Sequence, residues 1–384
     1  MESIIRLRDF CRAERAWLVD TIEALVRLES PSLDKRAVDR CGAELARRLE
    51  AIGGRVTRLP QRDRGDHVRA EFGPVDAPKQ ILLLGHVDTV WPVGQLERMP
   101  LTMRDGRLHG PGIFDMKTGI ALGMLAARAV SSQQSAADSP RIVMLWTTDE
   151  EIGSDTSREA IEAEARGSAA VLVLEPSLPG GALKTSRKGV GSYEVTVRGV
   201  SAHAGIDPLA GASAVQELAH QILRINALQD LARGIGVNVT QASGGRLTNV
   251  IPDEARAGVD VRATDAAGAA AIAAAFGQLT PVDSRTTIEV RGGFDRPPLE
   301  RTGGVSALFE RARSLAGDLG VELAEGTTGG GSDGNFTAAL GVPTLDGLGA
   351  IGDGAHALHE HVLVAELPDR AALIAALIES ILEP

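Results

Sequence analysis

The chain has 384 residues, enough for two domains, and its 43% apolar and 24% charged residues are the balance of a soluble globular protein. A formal net charge of −11 argues against nucleic acid as a partner, because phosphate binding wants a basic face, and no run approaches the roughly 20 apolar residues of a membrane span. Cys11 and Cys41 are too few for a disulfide framework, and the N-terminal stretch is charged rather than leader-like, so a reducing, cytoplasmic setting is expected.

In chain order, a helix is predicted over 34–52, where Val38, Cys41, Leu45, Leu49 and Ile52 recur at helical spacing and Gly53-Gly54 stops it. Three uninterrupted apolar runs follow: Ile81–Leu84, Ile142–Trp146 and Val171–Leu174. Such runs between helical stretches predict an α/β fold, a mostly parallel sheet with helices on both faces. Each run ends in polar or ionisable residues, which would stand beyond the carboxyl ends of the strands, where ligands gather in open α/β sheets.

Near residue 190 the pattern changes. Tyr193–Val197 alternates like a half-exposed strand, and a helix follows through Val215, Leu218, Ile222 and Ile225. Strand-like runs at Val237–Thr240 and Ala257–Ala263, an alanine-rich helix at 266–276 and a strand at Thr287–Val290 complete a βαββαβ unit with one open sheet face. After Pro297-Pro298, helices at 304–317 and 367–382 restore the α/β character. The expected organisation is a catalytic domain of 1–188 and 298–384 carrying an inserted domain of 189–297.

Five clusters carry chemistry: Gly85-His86-Val87-Asp88-Thr89; Gly110–Lys117 around Asp115; Thr148-Asp149-Glu150-Glu151 with Gly153-Ser154; Glu175-Pro176; and His356 to Glu360. Imidazole and carboxylate together suit zinc, cobalt or manganese, and a set without cysteine is of the catalytic rather than the structural kind. Singly, each has a plain alternative. His86 is equally a satisfied polar residue, Asp115 a turn residue, Glu150-Glu151 a solvated helix start and Glu175 a loop end. Spacing alone does not choose among His356, His359 and His361. Two adjacent carboxylates after a buried strand are nonetheless costly to hold without a cation.

The order of these clusters resembles the M20 metallopeptidase family. Ser201-Ala202-His203-Ala204-Gly205, Thr248-Asn249-Val250-Ile251-Pro252, Asp260-Val261-Arg262 and Thr328–Asp333 add to the likeness, which runs from about residue 20 to the end. It is closest to the glutamate carboxypeptidases of the carboxypeptidase G2 type. The resemblance implies a zinc-peptidase-like fold with an inserted lid and dimerisation domain, and two Zn2+ per subunit, with Co2+ or Mn2+ as substitutes. Asp115 would bridge the ions, Glu151 and His356 complete one, and His86 and Glu175 the other. His356 is favoured because Glu360 closes its H-x-x-x-E pattern. Asp88 would hold the second ring nitrogen of His86, and Glu150 would be the general base. His203 and Asn249 would stabilise the tetrahedral intermediate, and Arg262 would bind the substrate's terminal carboxylate, against the alternative of a surface arginine in an ion pair. The Asp115–Met116 bond would be cis.

The implied reaction is hydrolysis of an amide bond to release a C-terminal amino acid, glutamate favoured, from a small peptide or N-acyl amino acid, by a homodimer joined through the inserted domain. The alternatives are an N-acyl amino acid deacylase of the acetylornithine or succinyl-diaminopimelate type, and a non-catalytic amino-acid-binding relative. Two departures stand out: Thr118 where many relatives have glycine, and Arg187-Lys188-Gly189, which is found in some members of the family but departs from the carboxypeptidase G2 type, and which either meets an acidic side chain or marks the entry to the inserted unit.

Overall fold

In a computed structural model that describes residues 2–133 and 141–382, the chain divides into two units. The first comprises Met1–Thr185, Arg301–Thr327 and Ser332–Pro384; the second comprises Ser186–Glu300 and Thr328–Gly331.

The first unit is built on a six-stranded sheet in the order Arg55–Leu59, His67–Phe72, Arg141–Thr147, Gln80–His86, Ala170–Val173 and Thr344–Leu345. The last four strands are mutually parallel, with Ile81 opposite both Ile142 and Ala170 and Thr344 opposite Val171. The first two strands are antiparallel additions. Alternate residues of the apolar runs serve two different cores. Ile81, Leu83, Ile142, Met144, Trp146 and Leu172 pack with the helices Glu2–Ala13, Arg15–Val26, Lys35–Ala51, Thr118–Gln133 and Leu367–Leu382. Leu82, Leu84, Val143, Leu145 and Val171 pack with Ile161 and Ala165 of the helix Arg158–Arg166 and with Phe336. Cover on both faces is why these strands read as unbroken apolar runs. Both cysteines are free and buried in helices, as core fillers.

The helix at 35–51 starts where its cap permits, the Asp34 carboxylate accepting from Ala37 N. The two antiparallel strands, which interleave arginine and glutamate with apolar residues, carry no unbroken apolar run and were not expected. Neither was a small four-stranded sheet of Thr102–Arg104, Arg107–His109, Gly352–Asp353 and His361–Leu363, whose strands are only two or three residues long.

The second unit is a four-stranded antiparallel sheet in the order Gly236–Gly244, Glu254–Ala263, Gly189–Arg198 and Thr287–Arg296. With the helices Ala214–Asn226 and Ala266–Gly277 this is the βαββαβ order. Its core joins Val195, Val197, Val259 and Val261 to Leu218, Ile225, Ile272 and Phe276. Tyr193 stacks on Phe276 with ring centroids 3.9 Å apart. The Gly-rich segment Thr328–Gly331 belongs to this unit because Arg187 donates to the carbonyls of Gly330 and Gly331 at 3.2 and 2.9 Å, and Lys188 N to that of Thr328 at 3.0 Å. Among the described residues, no helix is long and apolar enough to cross a membrane.

Candidate metal centre

His86 ends one parallel strand, Thr147 ends the next, and Glu175 lies two residues beyond a third. The sheet therefore delivers three of the clusters to one edge, the carboxyl edge. His86 Nδ1 is 3.0 Å from the Asp88 carbonyl oxygen and 3.5 Å from Asp88 Oδ1. A carbonyl only accepts, so Nδ1 carries the proton, and in a neutral ring Nε2 is left with a bare lone pair. That Nε2 lies 3.2 Å from Asp115 Oδ1 and 3.4 Å from Glu175 Oε1.

Asp115 turns its other oxygen the opposite way: Oδ2 is 3.5 Å from His356 Nε2, which is itself 3.1 Å from Glu151 Oε2. One carboxylate thus spans two histidines brought from opposite ends of the unit. Potential ligand atoms of His86, Asp115 and Glu151 lie within 4.8 Å of one another, and so do those of His86, Glu150 and Glu175. His356, at φ 60°, takes its position from the turn after Gly354. Its two rivals face elsewhere. His359 is exposed and 4.0 Å from Asp353, and His361 packs against His109.

Three supports hold these side chains. The Asp88 carboxylate, fully buried, accepts from Ser32 Oγ at 2.7 Å and from the backbone N–H groups of Glu150 and Glu151 at 3.3 Å each. It therefore seats the Glu150–Ile152 turn, a task the motif reading missed. Asp333 accepts from Thr147 Oγ1 at 2.9 Å and from Ser154 Oγ, closing the far end of the same turn. Glu360 accepts from the loop that carries Asp115. The Asp115–Met116 peptide is cis, and Met116 is fully buried with its sulfur 3.3 Å from His86 N.

The electrostatics are those of crowded acids. Burial pushes the Asp115 carboxyl up, but His86, with His356 and Lys184 behind it, outweighs burial and holds it below the ordinary carboxylate range. Burial raises Glu151, and neighbouring Asp115 adds to the rise. The hydrogen bond to Glu151, against burial, pushes His356 up to about 9. The donor set fits divalent cations on two counts. His86 turns Nε2 to two carboxylates, at 3.2 and 3.4 Å, and Glu151 Oε1 is buried without a hydrogen-bond partner among the described residues. A buried carboxylate oxygen left so is expensive unless a cation satisfies it.

The remaining predicted residues lie in the second unit. A two-residue ladder pairs Ala202 with Ile251 and His203 with Val250, and Ala204 N donates to the Asn249 carbonyl at 2.9 Å, so His203 and Asn249 are neighbours. His203 Nδ1 accepts from the N–H groups of Gly205 and Ile206 at 3.1 and 3.2 Å, which leaves its proton on Nε2 as an exposed donor. Arg262 is engaged as an ion pair: Nε and Nη2 reach Asp260 at 3.1 and 2.8 Å, and Nη1 is 3.5 Å from the Gly329 carbonyl.

The family model for peptidase family M20/M25/M40 matches residues 82–380. Carboxypeptidase G2 of Pseudomonas sp. (strain RS-16) is 31% identical over 378 residues, covering 95% of this chain and 89% of its own. Succinyl-diaminopimelate desuccinylase of Cereibacter sphaeroides (strain ATCC 17023) is 30% identical over 356 residues, covering 86% and 90%. The crystal structure of aminopeptidase PepT from Bacillus cereus ATCC 10987 superposes with a TM-score of 0.79 at 22% identity, covering 96% of this chain and 99% of that one, and shares the fold. Metallopeptidases of the family are dinuclear metal enzymes. With a family model over most of its length and relatives at 30% identity or more, the chain belongs to peptidase family M20 as a hydrolase of the metallopeptidase and amidohydrolase kind.

Proposed function

We propose that the chain is a dinuclear zinc carboxypeptidase that cleaves the amide bond preceding a free α-carboxylate and releases a C-terminal amino acid, preferentially glutamate. The observation that carries this is the Asp115 carboxylate reaching towards His86 with one oxygen and His356 with the other. Glu151 and His356 would hold one ion, His86 and Glu175 the other, with Asp115 between them. When bound, such a pair of ions lowers the pKa of water towards neutrality and polarises a carbonyl oxygen.

Glu150 is the general base. It takes a proton from the attacking water as the carbon–oxygen bond forms, and hands that proton to the leaving nitrogen as the carbon–nitrogen bond breaks. Asp88 positions it through the backbone N–H of Glu150, and positions Glu151 in the same way. His203 donates from Nε2 to the developing oxyanion, with Asn249 as a second donor. Arg262, oriented by Asp260, binds the terminal carboxylate. The second unit serves as lid and as the dimerisation domain of a homodimer. Two buried, free cysteines accord with residence in the cytoplasm.

The second reading is an N-acyl amino acid deacylase, favoured by the likeness to a succinyl-diaminopimelate desuccinylase. The metal chemistry is shared and only the acyl pocket differs. A hydrolysis screen with zinc, cobalt and manganese separates them, setting folyl-glutamate and N-benzoyl-glutamate against N-acetylornithine and N-succinyl-diaminopimelate. Release of glutamate well above the deacylations supports the first reading, and the reverse order installs the second. In either case Glu150→Gln should lose about 100-fold or more in kcat. If wild type and that variant hydrolyse the whole panel equally poorly, the chain is a non-catalytic binding relative.

A further inference from the structure

Glu360 is 1% exposed, and four N–H groups converge on its carboxylate. Trp91 Nε1 and Gly112 N approach Oε2 at 2.9 and 3.0 Å; Phe114 N and Asp115 N approach Oε1 at 2.9 and 3.1 Å. Three of the four come from one short irregular segment. Gly112 has φ 68°, and Asp115 and Met116 depart from helical geometry, so no regular helix absorbs these donors. Buried N–H groups need acceptors, and here a single side chain supplies them.

The same residue is tied to the other end of the chain. Glu360 N donates to the Ala357 carbonyl at 3.0 Å, and Ala357 N to that of Gly354 at 2.8 Å, which closes the turn bearing His356. Gly110 N lies 3.4 Å from the Glu360 carbonyl. One residue therefore joins the Asp115 loop and the His356 turn, segments 245 residues apart in sequence at the Asp115 contact.

We propose that Glu360 is the positioning residue of the metal centre, locking the Asp115 loop to the His356 turn so that the Asp115 carboxylate spans the two histidines. It touches neither substrate nor ion and acts through the backbone on either side of Asp115. The inference rests on the dinuclear reading above, and its test separates the two.

The variants are Glu360→Gln and Glu360→Asp. Glutamine keeps the shape but turns an amide NH2 towards some of the same donors; aspartate keeps the charge on a stem one methylene shorter. In metal-free protein, hydrogen exchange of the peptide 110–117 should quicken in E360Q while distant strands keep wild-type protection. Calorimetric titration with zinc should show the second equivalent binding about tenfold or more weakly, the scale typical of groups that orient metal ligands. At saturating zinc, kcat falls with KM little changed, and E360D recovers part of each loss. E360Q with wild-type exchange at 110–117 and wild-type zinc affinity, having lost only thermal stability, overturns the proposal. Wild-type protein that binds fewer than two zinc ions sinks the dinuclear reading instead, and the exchange data then judge Glu360 alone. If E360Q does not fold, E360D is put through the same two measurements, against the same criteria.

Discussion

Replacing Gly119 by alanine puts a methyl group where the structure has no room for one. Gly119 sits in the first turn of the helix Thr118–Gln133, and a Cβ there would lie 2.0 Å from the Leu174 carbonyl oxygen, 3.0 Å from Met116 Cε and 3.1 Å from the Leu174 carbonyl carbon. The oxygen is backbone, and its residue is pinned by a 2.9 Å bond from Leu174 N to the Leu84 carbonyl, so helix and strand must part by more than an ångström. Overpacking of this kind costs about 1–3 kcal/mol, and the helix preference for alanine returns about 0.5–1 kcal/mol, leaving a net loss of about 0–2.5 kcal/mol. Activity should suffer far more. The displaced carbonyl belongs to the peptide that carries Glu175, whose Oε1 stands 3.4 Å from His86 Nε2. Misplacement of about 1 Å at such a site costs about 100-fold.

Gly123→Ala is the matched control. It lies one turn further along the same helix, where an added Cβ would lie 2.5 Å from Leu174 Cδ1, the end of a side chain that can rotate. The assay is kcat/KM with the best substrate of the panel, beside thermal melting and zinc titration. Gly119→Ala should melt a few degrees lower, bind zinc more weakly and lose about 100-fold in kcat/KM, while Gly123→Ala stays within a few-fold. Equal behaviour of the two variants would refute the claim that the Leu174–Glu175 peptide fixes the site.

Glu71 lies between Arg69 at 3.0 Å and Arg141 at 2.8 Å, and these partners hold its carboxyl down at about 2. A depressed carboxyl contributes stability that is complete above its unfolded pKa and fades as pH falls through the folded value. Glu71→Gln should therefore cost about 1–2 kcal/mol at pH 7 and almost nothing near pH 2, read by denaturant melts across that range. Arg370, fully enclosed and pushed down to about 10 by burial, donates to the carbonyls of Gly181, Gly347, Leu348 and Gly349. Arg370→Met should cost about 3 kcal/mol by orphaning them, and should loosen Glu175, whose carbonyl accepts from Gly349 N at 2.9 Å. Burial pushes the Cys11 thiol up to about 12, so a thiol reagent should leave it untouched until denaturant is added. Stripping metal with a chelator should abolish hydrolysis and lower the melting temperature, and zinc should restore both.

Much of the site was legible in sequence because its parts follow elements with strong local signatures. Burial on both faces writes unbroken apolar runs, so the strands ending at His86, Thr147 and Val173 announce themselves, and the acids just beyond them stand at the carboxyl edge of any parallel sheet. Alternation and helical spacing likewise announced the second unit. The antiparallel strands Arg55–Leu59 and His67–Phe72 were silent because salt bridges such as Arg69 with Glu71 put charged residues where an apolar pattern was sought.

What tertiary structure alone decided are the pairings between distant segments. Spacing could not choose among three late histidines; it is the turn of His356 that meets Asp115 and Glu151 in the fold. The carboxylate of Asp88 serves the Glu150–Ile152 turn more directly than the His86 ring, and Arg262 is already engaged by Asp260. Residues Thr328–Gly331 join the second unit through Arg187 and Lys188. Periodicity records only how each residue's own element is buried. A hydrogen bond between residues 115 and 360 leaves no periodic trace, and it forms only once the chain has folded back on itself.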